Sequence, residues 1–352
     1  TTEIYQRLTG TLLLRRSQLI SSQIKIDNGL EVERFLKIET KMNGHLSRFI
    51  VSASEFDKLN WITQELGAQA VIYPNYTVKN HLSVAIKLLS GDIPTETKYT
   101  HLGWRKENGK LIFLQSEGAI GASGFISNIN VETEGTRLKD YALGEPPTGN
   151  GLMEAVKASL SLLKLAPEKI MTPLLSALFR APLAEFLPVD FSIFIVGPTG
   201  SQKSEVTAIV LSHFGKNFNG KNLPANWTST ANSLEKESFL AKDVLLVIDD
   251  YAPYGSTYEV SSYHKTAERV FRAQGNRSGR GRMQSNGSLK ADYYSRCLIV
   301  SSGEDVPTGQ SVQARMEIIE IEKGNVDLKL LTLAQKQAFD GVYVNTMSAY
   351  IK

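Results

Sequence analysis

Residues 191–204, Phe-Ser-Ile-Phe-Ile-Val-Gly-Pro-Thr-Gly-Ser-Gln-Lys-Ser, constrain the fold of this 352-residue chain more than any other segment. An apolar, β-rich run passes into a glycine-rich turn ending in Lys-Ser, and the helix-forming residues 205–214 follow. In a phosphate-binding loop (P-loop), turn N–H groups hold phosphate oxygens, the lysine reaches the β and γ phosphates, and the hydroxyl ligates Mg²⁺. We therefore predict a nucleotide site formed by Gly197, Pro198, Thr199, Gly200, Ser201, Gln202, Lys203 and Ser204, with Ser204 also a metal ligand.

One position departs from the usual spacing G-x-x-x-x-G-K-[ST]. Gln202 stands where the second glycine is expected, so Gly197 and Gly200 must supply the close approach to the phosphates. The alternative interpretation is a glycine-rich turn between strand and helix that binds no ligand. That alternative leaves the pair Lys203-Ser204 unexplained.

A second segment, residues 243–250, ends in two acids. Its apolar core, residues 244–248, is the short continuous run expected of a strand buried in a parallel sheet. In P-loop ATPases a carboxylate at such a strand end holds Mg²⁺, and a neighbouring residue orients or deprotonates the attacking water. We assign the first role to Asp249 and the second to Asp250, although Glu is commoner at the second position. A strand ending in solvated acids is the alternative.

The composition is that of an ordinary globular protein, with 42% hydrophobic residues. The single cysteine, Cys297, excludes a disulfide framework within one chain and favours a reducing compartment. The best candidate for a membrane span, residues 171–187, is interrupted by Arg180 and Glu185. We expect a cytoplasmic protein with no membrane partner. A net charge of +3 is too small to prove a nucleic-acid partner, so that inference depends on where charges cluster.

The first part of the chain mixes strand and helix patterns. Residues 32–52 form a hairpin pattern around Asn43-Gly44, because Asn-Gly accepts positive φ between β-rich arms. A second hairpin is expected around Asn108-Gly109. Residues 55–66 and 78–89 carry apolar residues at helical spacing.

From residue 190 to residue 322, strand and helix patterns alternate, which implies a mostly parallel sheet with helices on both faces. Glycine and proline concentrate in residues 143–151, which mark a domain boundary. We therefore predict an α/β fold: a P-loop ATPase core with flanking helices, preceded by a smaller α+β accessory domain. The predicted domains are residues 1–145 (accessory, for DNA binding or assembly), 146–189 (linker and helical segment), 190–322 (ATPase core) and 323–352 (C-terminal helical tail).

Two further positions fit the ends of core strands. Ser301 and Ser302 end one predicted strand, and Arg315 immediately precedes the strand of residues 316–321. In ring-forming AAA+ ATPases a polar residue at the first position senses the γ phosphate, and an arginine at the second enters the neighbouring subunit's site as a finger. We predict these roles for Ser301 or Ser302 and for Arg315. An ordinary surface arginine is the alternative for Arg315.

A basic segment separates the acid-ended strand from the serine-ended strand. Residues 265–296 contain eight basic residues and two acidic ones, a net charge of +6, which is twice that of the whole chain. Within them, two arms surround an Asn-Gly turn at residues 286–287. A basic hairpin there could hold DNA phosphates in the channel of a ring without reading bases, and a flexible solvated loop is the alternative. The predicted DNA-binding residues are Arg277, Arg280, Arg282 and Lys290.

Several segments spread over most of the chain carry a resemblance to a known family: Leu102-Gly-Trp, Arg180-Ala-Pro-Leu, the P-loop of residues 197–204, Asn226-Trp-Thr-Ser-Thr, Asp249-Asp-Tyr-Ala-Pro, residues 277–282 and Ser301-Ser-Gly-Glu. Through these segments the chain resembles the self-loading, MCM-like replicative helicases of bacterial mobile genetic elements and prophages, a family long catalogued only as a domain of unknown function. The resemblance implies an AAA+ fold, hexamer assembly, ATP with Mg²⁺, single-stranded or forked DNA as the partner, and DNA unwinding at the element's own origin.

Two functions from different classes therefore remain open. The first is a DNA helicase motor, and the second is a nucleotide-controlled DNA-binding module, such as an initiator or loader, with slow or absent turnover. Gln202 and Asp250, which depart from the usual residues, favour the second. The chain also ends soon after the last core strand, so we expect either a fragment or a shortened member without a C-terminal lid or winged helix.

Overall fold

The computed structural model describes residues 18–42, 45–68, 70, 72, 77–277, 282–283, 289–290 and 293–352. The chain forms two compact units, one ending at Tyr99 and the other running from Thr100 to Lys352. The domain boundary predicted at residue 146 falls within the second unit and stays a prediction.

The first unit contributes four strands to a sheet: β1 (Gln18–Asp27), β2 (Val32–Met42), β3 (His45–Ser52) and β4 (Thr95–Tyr99). These four strands lie in the order β3-β2-β1-β4. β1 pairs antiparallel with β2 and parallel with β4, and β2 pairs antiparallel with β3. The predicted first hairpin is thus confirmed, and its Asn43-Gly44 turn lies outside the described residues.

The helical pattern of residues 55–66 is divided into α1 (Ala53–Phe56) and α2 (Asn60–Leu66). Between them Leu59 adopts a left-handed conformation with φ of 56° and is buried in the core of the unit. The Trp61 indole N–H donates to the Phe56 carbonyl over 2.9 Å, which satisfies a backbone group at the break. The second helical pattern forms α3 (Val78–Ser90).

The second unit begins with an antiparallel four-stranded sheet of consecutive strands. The predicted second hairpin joins its first two strands, and Asn108 and Gly109 have φ of 48° and 80°, as a type I′ turn requires. The strands are β5 (Gly103–Glu107), β6 (Lys110–Gln115), β7 (Gly118–Gly121) and β8 (Gly124–Ile126); a short strand β9 (Asn130–Val131) and helices α4 (Gly149–Ser161) and α5 (Glu168–Arg180) follow.

Trp104 fixes this antiparallel sheet to the rest of the second unit. Its backbone N–H donates to Asp243 Oδ2 over 2.9 Å, and its indole N–H donates to the Pro182 carbonyl over 2.7 Å. The adjacent Gly103 has φ of 86° and packs against the backbone of Lys242, where a Cβ would clash. The Leu-Gly-Trp sequence therefore provides a close backbone contact with an aromatic anchor beside it.

The core of the second unit is a five-stranded sheet. Its strands are β10 (Ser192–Val196), β11 (Ala225–Asn226), β12 (Leu245–Tyr251), β15 (Leu298–Gly303) and β16 (Met316–Glu320). They lie in the order β11-β12-β15-β10-β16, and every neighbouring pair is parallel, which confirms the predicted parallel sheet. The central strands are buried on both faces, as parallel strands covered by helices must be.

Helices connect these strands, and α8 (Thr257–Asn276) begins with a capping box between Ser256 and Glu259. Beyond α8, β13 (Arg282–Met283) pairs antiparallel with β14 (Leu289–Lys290), so the two arms predicted for the basic segment pair as in a hairpin, and their predicted Asn286-Gly287 turn lies outside the described residues. No helix in the described part of the chain is long and apolar enough to cross a bilayer. The helices are α6 (Lys203–Leu211), α7 (Ala231–Leu240), α8 (Thr257–Asn276), α9 (Gln310–Gln313), α10 (Leu328–Phe339) and α11 (Val342–Ile351).

Candidate nucleotide-binding site

The glycine-rich turn lies between the end of β10 and the start of α6, at the carboxyl edge of the parallel sheet. The Gly197 N–H donates to the Gly303 carbonyl over 3.2 Å, which fixes the start of the turn to the neighbouring strand β15. A Cβ at Gly197 would overlap the Ile321 carbonyl, and Gly200 has φ of 83°. Both positions therefore require glycine for backbone reasons, and the turn has the strand–turn–helix context of a phosphate site.

Gln202 occupies the last position before α6 in a left-handed conformation, with φ of 67° and ψ of 23°. This backbone geometry explains why glycine is usual at this point of the loop, because only glycine adopts it without steric strain. The glutamine side chain thus departs from the motif in sequence while the backbone keeps the conformation that glycine would adopt.

Lys203 is the first residue of α6, and its ammonium turns back over the loop. Its Nζ donates to the Gly197 carbonyl over 2.6 Å and to the Pro198 carbonyl over 3.0 Å. Burial lowers the pKa of Lys203, and the nearby carboxylates of Glu304, Asp249 and Asp250 oppose that shift. The cation is therefore held at the mouth of the loop, where it could reach the terminal phosphates of a nucleotide.

Ser204 and Asp249 meet across the sheet edge. The Ser204 hydroxyl donates to Asp249 Oδ1 over 3.0 Å, and the Ser302 hydroxyl donates to the same oxygen. A hydroxyl and a carboxylate oxygen are hard ligands of the kind that Mg²⁺ prefers. This pair fits a Mg²⁺ ion that also binds nucleotide phosphates.

Asp250 follows at a local irregularity of the sheet. The register between β12 and β15 shifts between Ile248 and Tyr251, and Asp250 has φ of 63°. The exposed side chain lines the same cleft as Lys203. Non-glycine residues in such conformations cost on the order of 1–3 kcal/mol each and cluster at functional sites, where the surrounding structure enforces them.

These groups surround one open cleft of about 260 Å³ at the carboxyl ends of the strands. Most of the predicted phosphate-binding and catalytic residues are brought together in this cleft. The cleft is lined by Thr199, Gly200, Gln202, Lys203, Ser204, Glu205, Asp249, Asp250, Ser302, Gly303 and Glu304.

The two serines at the end of β15 have different surroundings. Ser302 lines the cleft and bonds Asp249, as a sensing residue would require. Ser301 is fully buried, accepts a hydrogen bond from the Trp227 indole N–H over 2.8 Å and donates to the Ile248 carbonyl over 3.1 Å. Of the two predicted sensors, only Ser302 is placed at the site.

Arg315 lies at the opposite edge of the sheet. Its carbonyl accepts a hydrogen bond from the Ser192 N–H at the start of β10, whereas the P-loop follows the end of that strand. The guanidinium donates to Asn276 Oδ1 over 2.8 Å and to the Ser311 carbonyl. Arg315 therefore does not line the cleft of its own chain.

The predicted DNA-binding residues lie at and beyond the end of α8. Arg277 is exposed and ends α8 in a left-handed conformation with φ of 49°. Arg282 and Lys290 are register partners in the β13–β14 hairpin. Arg280 lies outside the described residues.

Three of the lining residues were not predicted to act there: Glu205, Gly303 and Glu304. Glu304 directly follows β15, accepts a hydrogen bond from the Thr199 hydroxyl and accepts another from the Tyr254 hydroxyl over 2.7 Å. The sequence contained a usable signal, since an acid at the carboxyl end of a strand beside the P-loop strand falls at the ligand-binding edge of a parallel sheet.

Among solved structures, "SCCmec type IV Cch - active helicase" matches 92% of this chain at 15% sequence identity with a TM-score of 0.51. This chain spans 57% of that structure's length. The C-terminal region of NrS-1 (11% identity, 89% of this chain and 66% of that one, TM-score 0.35) and JCV Helicase (13% identity, 57% and 54%, TM-score 0.33) are more distant. The Cch comparison shows that the chain has a helicase-like mixed α/β fold.

No curated protein matches the chain in sequence. The sequence profile described as "Domain of unknown function (DUF927)" matches residues 15–292, which include most of the first unit, the glycine-rich turn, the acid pair and the basic hairpin. By this match over most of its length, the chain belongs to the DUF927 family.

Proposed function

We propose that this protein is the ATP-dependent motor of a DNA helicase, an AAA+ ATPase that works as a hexameric ring and replicates a mobile element or prophage. The observation that carries the proposal is the contact between Ser204 at the start of α6 and Asp249 at the end of β12. It unites the P-loop with the acid-ended strand in the arrangement that holds Mg²⁺ in P-loop ATPases.

Each cleft residue has a role in this proposal. When bound, ATP with Mg²⁺ supplies a phosphoanhydride whose γ phosphoryl group is transferred to water. Lys203 would neutralise the terminal phosphates, and Ser204 and Asp249 would hold the metal. Asp250 would orient the attacking water and accept its proton, while Ser302 keeps the Asp249 carboxylate in position.

The DNA-binding part of the proposal depends on α8. This helix begins at Thr257, shortly after the acid pair, and ends at Asn276, from which the chain continues into the basic hairpin. A change at the nucleotide site could therefore be transmitted along one helix to a basic element. Phosphate contacts of this kind are electrostatic and independent of base sequence.

The decisive experiment is steady-state ATP turnover with and without single-stranded DNA, together with unwinding of a forked duplex. We expect turnover that DNA stimulates and unwinding that requires ATP. Lys203→Ala should abolish both, because the lysine cation that reaches the terminal phosphates is removed. Lys236→Ala, which removes an exposed lysine on α7, is the matched control. Turnover by Lys203→Ala at the wild-type rate would refute the site assignment.

A nucleotide-controlled DNA-binding module is the second candidate. It is favoured by Gln202 and Asp250, two non-glycine residues in left-handed conformations at the places where the loop and the acid strand meet the nucleotide. Such a module would bind ATP and DNA with negligible turnover. ATP-dependent DNA binding without measurable ATP hydrolysis would favour this module over the helicase motor, provided that oligomeric assembly of the same preparation has been verified.

A further inference from the structure

Glu304 links the P-loop to the chain that precedes α8. One carboxylate oxygen accepts the hydrogen bond from Thr199, the third residue of the P-loop, and the other accepts the hydrogen bond from Tyr254. Both oxygens thus accept hydrogen bonds from neutral hydroxyls, one of which belongs to the P-loop. A carboxylate fixed in this way keeps its negative charge directly on the phosphate-binding loop.

The same carboxylate is close to the cation of the site. Glu304 lines the cleft with Lys203, and its charge acts on the Lys203 ammonium more strongly than that of Asp249 or Asp250. Lysine at this position of a P-loop reaches the β and γ phosphates. Glu304 therefore lies on the side of the cleft that the terminal phosphate of a nucleotide must approach.

We propose that Glu304 is an anionic gate that selects against the γ phosphate and so sets the relative affinity of the site for ATP and ADP. This inference rests on the proposed nucleotide site. Two anions repel when both lie against one loop, so the γ phosphate can bind only when the Thr199–Glu304 contact opens. ADP has no γ phosphate and leaves the contact closed.

A direct consequence is that the site binds ADP in preference to ATP because of the single side chain of Glu304. Replacing Glu304 by Gln keeps the size and one of the two accepting oxygens while removing the charge. We expect the affinity for a non-hydrolysable ATP analogue that retains the γ phosphate to rise about tenfold, as expected for one like-charge contact in a partly exposed site. The affinity for ADP should change by less than about twofold, because that ligand never faces the carboxylate at close range.

The experiment is competition binding of the ATP analogue and ADP to the full chain with Mg²⁺, for the wild type, Glu304→Gln and two further variants. Asp305→Asn removes an exposed charge one residue away that does not line the cleft, and should leave the ratio of the two affinities unchanged. Tyr254→Phe removes one of the two hydroxyls that hold the carboxylate, and should shift the ratio in the direction of Glu304→Gln by a smaller factor.

Three outcomes are decisive. A selective gain for the ATP analogue in Glu304→Gln, absent in Asp305→Asn, supports the gate. Equal changes for both nucleotides, or a loss of analogue affinity in both Glu304→Gln and Tyr254→Phe, would overturn the gate and leave the nucleotide site standing. Failure of the wild type to bind either nucleotide would overturn the proposed function and the gate with it.

Discussion

The Ser204 hydroxyl donates a hydrogen bond to Asp249 Oδ1 over 3.0 Å and thereby joins the first turn of α6 to the end of β12. The two residues are 45 positions apart in the chain, and their contact exists only because β12 and β10 both pair with β15. The oxygens of both side chains face the same cleft. They therefore form a preorganised pair that could accept a divalent cation without large rearrangement.

We expect Ser204→Ala and Asp249→Asn each to raise the Mg²⁺ concentration needed for half-maximal ATP turnover. Each variant removes one ligand of the proposed metal site. The double variant should lose less than the sum of the two single effects, because residues in contact are coupled. Magnesium titrations of ATP turnover measure all three. Strictly additive losses would show that the two side chains act at separate places.

The left-handed backbone of Gln202 makes a separate prediction about stability. Gln202→Gly should raise the free energy of unfolding by about 1 kcal/mol, since glycine adopts positive φ without the Cβ penalty. Gln202→Ala keeps the Cβ and should give little change, so it is the matched control. Urea denaturation decides the matter. A decrease in stability for Gln202→Gly would mean that the glutamine side chain compensates for the strained backbone.

Local patterns predicted the strand before the glycine-rich turn, the turn itself, the acid-ended strand and the hairpins. The backbone conformation of each of these segments depends mainly on residues close together in the sequence. The backbone conformation of Asp250 and the contact made by Glu304 could not be predicted in this way. The left-handed conformation of Asp250 follows from a register shift against β15, and the contact of Glu304 with Thr199 spans 105 positions. Long-range pairing of this kind has no short sequence signature.

The sequence also could not decide between Ser301 and Ser302. Side chains alternate across a strand, so only one of the two can face the cleft. In a sheet buried on both faces, the usual polar–apolar alternation that would identify the exposed side is missing. In the structure the Trp227 indole N–H donates to the buried Ser301 hydroxyl, whereas Ser302 lines the cleft and donates to Asp249, and the sensing role itself stays a prediction.

His213 makes the stability of the protein depend on pH. It is fully buried, its Nδ1 contacts the Val210 carbonyl at 2.9 Å, and its Nε2 contacts the Ser159 hydroxyl at 2.8 Å. Burial lowers the pKa of His213 from 6.5 to about 4. Between these values the unfolded chain binds the proton and the folded chain does not, so stability is complete above pH 6.5 and falls as the pH drops towards 4.

Between pH 6.5 and pH 4 the free energy of unfolding should fall by up to about 1.4 kcal/mol for each pH unit. Asp243 acts in the opposite direction, because burial raises its pKa to about 6 and its folded form retains a proton that the unfolded chain releases. The His213 contribution is therefore the difference in slope between the wild type and His213→Gln in unfolding measured from pH 4 to pH 7. Identical slopes would contradict the prediction.

Replacement of Arg315 tests whether a second subunit completes the nucleotide site. It lies at the amino edge of the sheet and the P-loop lies at the carboxyl edge, so a role in hydrolysis would have to be exerted on a neighbouring chain. Arg315→Ala should bind ATP yet lose turnover by about 10³-fold or more, as fingers do. Mixing it with Lys203→Ala should restore activity, because some interfaces then combine an intact finger with an intact P-loop.

The control for Arg315 is Arg272→Ala. Arg272 donates to the Ser311 hydroxyl over 3.0 Å, while Arg315 donates to the Ser311 carbonyl, so both variants disturb the same segment. Loss of turnover in both would indicate damage to that segment. Normal assembly of the mixture without any recovery of activity would exclude a finger acting between subunits.

The basic hairpin gives the last prediction. Arg282 and Lys290 pair across β13 and β14, and the hairpin follows α8, which begins shortly after the acid pair in the chain. Replacing both residues by Ala should weaken binding of single-stranded DNA and reduce the stimulation of ATP turnover by DNA. Each lost phosphate contact should lower the slope of log affinity against log salt by roughly 0.7. Lys236→Ala on α7 removes one positive charge elsewhere and should leave the slope intact. DNA affinities measured at several salt concentrations distinguish a DNA-binding hairpin from a solvated loop. An unchanged slope in the double variant would mean that the basic side chains of the hairpin are solvated and that DNA binds elsewhere.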